Sequence, residues 1–79
     1  MSVSELRSVL TQVEQWKQEE INAYAAGDSS LMQTARSMLF DLGNRSQRLM
    51  RQLEGSSAYE QDLEKVLSNH RRRMREMGD

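Results

Sequence analysis

A histidine, a set of serines and a run of arginines carry the reactive chemistry this chain could use. His70 is the single histidine. A nucleophile needs a base beside it, and commonly a third group to orient that base. The helical neighbours of His70, three and four positions away, are Val66, Leu67, Arg73 and Met74, and none is a carboxylate. A metal ion would need a second His or Glu at that spacing, and none is there. His70 therefore reads as a half-buried histidine at the end of an apolar stripe. The serines cluster where helices should begin, so capping explains them. Gly27, Gly43, Gly55 and Gly78 stand alone, which leaves no glycine-rich phosphate loop. Glu19 and Glu20 are adjacent and belong to a polar flank. No catalytic residue, cofactor or metal is assigned, and the chain is expected not to be an enzyme.

Arg71, Arg72, Arg73 and Arg75 form the strongest charge cluster. Basic runs bind phosphates on nucleic acid or lipid headgroups. On a helix, however, successive residues fan out by about 100° each, so these arginines do not share one face. Glu60, Asp62 and Glu64 at the start of the same helix would repel a long duplex. A solvated helix end, with acid first and base last, also complements the helix dipole. Contact with nucleic acid through these four arginines is the alternative function, not the favoured one.

Phe40 is the sharper case. Leu31, Met32, Ala35, Met38, Leu39, Leu42, Leu49, Met50 and Leu53 recur at helical three- and four-residue steps, and the chain is read as organised around this middle stretch. Phe40 falls roughly 140° from the centre of that stripe, among Arg36, Asn44, Gln47 and Arg51. Aromatic and arginine residues are enriched in interface hot spots. Phe40, Arg36, Asn44, Gln47 and Arg51 are therefore the candidate partner-binding residues.

These side chains are placed by three expected helices, about 3–25, 30–54 and 58–77, in one domain covering 1–79. Ser2 and Glu5 form a capping box, as do Ser30 and Gln33, and Ser57 and Glu60. Gly27 can close the first helix, after which Asp28, Ser29 or Ser30 can cap the second. In the first helix Val3, Leu6, Val9, Leu10, Val13, Trp16, Ile21 and Tyr24 share a face interrupted by Lys17 and Glu20, which either pair or reach outward. The middle helix is read as continuous, with Gly43-Asn44 the point where a kink would fall. In the third, Tyr59, Leu63, Val66, Leu67, His70, Met74 and Met77 lie on one side. Short turns make sequential helices antiparallel neighbours. The expected fold is all-α, an antiparallel three-helix bundle.

With 79 residues, 37% hydrophobic and 5% aromatic, and no cysteine or proline, the core must be thin. Six methionines fill part of it. A protein partner or a homo-oligomer is therefore expected. Residues 1–29 carry a net −3 and residues 30–55 a net +2, which favours pairing of the first two helices. The overall charge of −1 gives no general pull toward nucleic acid. Neither a signal peptide nor a membrane span is expected, and the cytoplasm is the expected location. The layout resembles small all-helical chaperones and adaptors that hold an aggregation-prone helical client, as in bacterial secretion systems. The likeness covers size, absence of cysteine and helix count, and it implies a client-binding role. The expected function is non-catalytic protein binding by a small adaptor, chaperone or inhibitor that occupies a partner surface.

Overall fold

The computed structural model describes residues 3–55 and 60–78. It is a three-helix bundle: α1 (Val3–Ala26), α2 (Ser29–Glu54) and α3 (Glu60–Gly78), with no strand among the described residues. The Ser2 and Ser57 capping boxes and the inward placement of Tyr59 fall outside those residues.

The turn between α1 and α2 follows from two adjacent residues. Gly27 takes a left-handed conformation, φ 70°, which a side chain would strain. Its N–H donates to the Tyr24 carbonyl at 3.2 Å, and the Asp28 N–H donates to the Ala23 carbonyl at 2.9 Å. This crossed pair satisfies carbonyls that the helix end leaves free. Asp28 then caps α2, its Oδ1 accepting from the Leu31 N–H at 3.0 Å. The proposed Ser30–Gln33 box is not used. Ser30 already lies inside α2, because Asp28 reaches the third-position N–H first.

α2 runs unbroken through Gly43-Asn44. Gly43 leaves room beside the helix, since a Cβ there would meet nothing within 4 Å. Ser46 is buried and donates to the Gly43 carbonyl at 2.9 Å. Its hydroxyl is thereby satisfied on an otherwise apolar stripe.

The core gathers Val3, Leu6, Val9 and Leu10 of α1, Leu42, Leu49 and Leu53 of α2, and Leu63 and Val66 of α3. Val13, Trp16, Met50 and Leu67 pack against it, half-buried. All of this lies where α1 begins and α2 ends. Toward the Gly27 turn the buried residues are the small Ala23 and Ala35. α1 packs against both other helices, while α2 and α3 meet sparsely. The organising helix is therefore α1 and not the middle one. Its apolar residues spread over adjoining sectors of the helix.

Tyr24 corrects a second expectation. It is 76% exposed although it lies on the apolar stripe of α1. The described part of α3 reaches along α1 only as far as Met77 beside Ile21. Tyr24 is one turn beyond, and the depression it lines is walled by α1 and α2 residues.

Candidate functional site

Two places on this bundle hold side chains capable of recognition or control. The first is a face of the α1–α2 hairpin. Phe40, Arg36, Asn44, Gln47 and Arg51 are all exposed, and their spacing puts them on one side of α2. Phe40 is 71% exposed. One turn before it, the Arg36 Nε lies 3.6 Å from Glu20 Oε2 of α1. Glu20 also accepts from Lys17 Nζ at 3.0 Å, so these two stripe-interrupting charges pair, and Arg36 joins them. Ile21, Tyr24 and Met32 complete a depression beside Glu20 and Arg36 of about 190 Å3. Arg36 thus borders both aromatics: it lines this depression with Tyr24 and stands one turn from Phe40.

Tyr24 and Glu20 meet this face at Arg36 and are absent from the residues chosen from the sequence. The apolar stripe assigned Tyr24 to the core. Its signal was its place beside the Gly27 turn, where the helix pair runs out.

The second place joins α1 to α3. Glu14 Oε2 stands 2.7 Å from His70 Nδ1. Arg73 Nε donates to Glu14 Oε1 at 2.5 Å, and its Nη2 to Oε2 at 3.2 Å, a bidentate clasp. Glu14 is deeply set, its side chain 12% exposed, while Arg73 is 41% exposed. Burial pushes the Glu14 carboxyl up, and this is the largest single influence. Together, the hydrogen bonds and charges of Arg73 and His70 outweigh it and hold Glu14 below the usual carboxylate value. The same carboxylate raises Arg73, chiefly by hydrogen bonding.

His70 therefore has a carboxylate partner after all. Neighbours on its own helix could not show it, because Glu14 is 56 positions away. The sequence did carry one signal: Glu14 interrupts the sector of α1 that holds Val3, Leu10 and Ile21. A carboxylate on an apolar sector needs a cation opposite.

A histidine held by a carboxylate supplies two of the three members of a nucleophilic triad. Thr11 lines the groove next to Glu14, but its hydroxyl donates to the Arg7 carbonyl at 2.9 Å. Among the described residues, no group of three or more His, Asp or Glu is placed to hold a metal ion. Of the four candidate nucleic-acid arginines, Arg73 is committed to Glu14, and Arg71 Nε donates to the Leu67 carbonyl at 3.3 Å. Arg72 and Arg75 are exposed. No helix among the described residues is long and apolar enough to cross a membrane.

No protein-family model matches this chain, and no curated protein or solved structure matches it either.

Proposed function

We propose that this protein is a non-catalytic protein-binding module, a small helical adaptor, chaperone or inhibitor that occupies a partner surface with the Tyr24–Phe40 face. The observation that carries this is the exposure of Tyr24 and Phe40, the exposed large hydrophobic residues among those described. Both sit on one hairpin, Tyr24 lining a depression with Arg36 and Phe40 one helical turn along α2 from it. Exposed aromatics beside an arginine match the composition of interface centres. The thin core supports a partner or a second copy of the chain as the occupant. Absence of cysteine suits a reducing compartment, and the cytoplasm is part of this proposal.

Affinity capture from the native host tests it, comparing the wild type with a Tyr24→Ala plus Phe40→Ala variant, alongside sedimentation of each pure protein. The proposal predicts a partner, or a self-associated species, that the variant loses while keeping its helical content. Identical capture and identical sedimentation for the two proteins would refute it.

A further inference from the structure

We propose that Glu14 is the latch of α3: its single carboxylate on α1 holds the far half of α3 in place, and loss of its charge frees α3 while α1 and α2 stay paired. This is independent of the Tyr24–Phe40 face. α3 buries only Leu63 and Val66 among its described residues, both near its start. Beyond Val66, the side-chain hydrogen bonds recorded among the described residues between α3 and another helix run from His70 and Arg73, and both end on Glu14. α2 offers α3 little support, since those two helices meet sparsely. By contrast, α1 and α2 are packed along their length and share most of the core.

The charges around the latch are few. From α3, His70 and Arg73 face Glu14, and Glu76 stands beside Arg73. Arg7 of α1 and Lys65 of α3 line a neighbouring recess with Arg73. The groove around Glu14 is lined by α1 and α3 alone, with no α2 residue among its walls. A protonated Glu14 would leave Glu76 as the counter-charge beside Arg73 and weaken the His70 and Arg73 contacts to Glu14 together. Release of the far half would open the groove that Ile21 of α1 and Met77 of α3 line together.

Amide hydrogen exchange on the full chain, corrected for intrinsic rates, reads each helix separately. In Glu14→Gln at neutral pH, α3 should exchange roughly tenfold faster or more, with α2 little changed. The wild type should show the same selective loss once pH falls below the ordinary carboxylate value of 4.5. His70→Gln keeps a hydrogen-bond donor for Glu14, so it should stay latched at neutral pH and still release in acid. Three results would overturn the proposal. α3 protection could be unchanged in Glu14→Gln. All three helices could open together, in that variant or in acid. Acid release could vanish in His70→Gln, which would make the histidine the titrating group.

Discussion

Glu14 shows what a single residue decides here and what sequence spacing hides. Helical spacing brings together neighbours on one helix, and by that measure His70 had only apolar and basic company. The carboxylate that meets it comes from α1, through the packing of two helices. That pairing depends on the relative rotation and height of α1 and α3, which no local pattern encodes. Its consequence for stability has a definite sign. Glu14 is held below its unfolded value, so its contribution is fully present above the ordinary carboxylate value of 4.5 and is lost as pH falls through the folded one. Urea midpoints measured from pH 7 to pH 3 should fall at the acid end, and Glu14→Gln should show a smaller fall. Equal acid sensitivity in both proteins would assign the effect to other carboxylates. Asp28 is a second residue with one clear task. Asp28→Ala removes the side-chain acceptor at the start of α2 and should cost about 1 kcal/mol in thermal or urea unfolding.

The elements themselves were largely legible. Apolar steps of three and four residues predict three helices, and Gly27 followed by Asp28 marks the first turn, because left-handed backbone and a capping carboxylate are local requirements. Choosing among Asp28, Ser29 and Ser30 was not possible by residue type, since all three can cap. Only the backbone geometry at Asp28 separates them. Continuity through Gly43 was legible too, because the stripe keeps phase from Leu42 to Leu49. Glycine still costs helix stability there, and an added methyl would meet nothing within 4 Å. Gly43→Ala should therefore raise stability by roughly 0.5–1 kcal/mol, measured by denaturant unfolding. A loss of stability would mean that α2 depends on flexibility at this point. Tyr24 marks where stripe analysis fails: a position can lie on the apolar stripe of its own helix and still stay exposed, because the stripe does not record where neighbouring helices pack.

At the scale of the whole molecule, the Cα trace extends 45 × 22 × 14 Å, long and thin for a bundle. The large apolar side chains are buried at one end, while the other end relies on Ala23 and Ala35. Small domains bury little surface and are marginal alone. The working state is therefore expected to be a complex or an oligomer, and sedimentation at micromolar concentration should show more than a lone monomer. A monomer with a steep, high-temperature transition would contradict this. The hairpin was legible in the apolar steps and the Gly27 turn, while of the expected charge pairing between its helices the described residues record Arg36 with Glu20. Its exposed aromatic face was visible only in part, through Phe40. What separates a binding face from a stray exposed ring is a paired measurement on Phe40→Ala, of melting temperature and of affinity for the captured partner or second copy. A contact role predicts a melting temperature within a few degrees of wild type and a binding loss on the order of 2 kcal/mol, roughly thirtyfold. A folding loss of about 3–5 kcal/mol, the usual cost of truncating a core phenylalanine, or no change in either quantity, would contradict it.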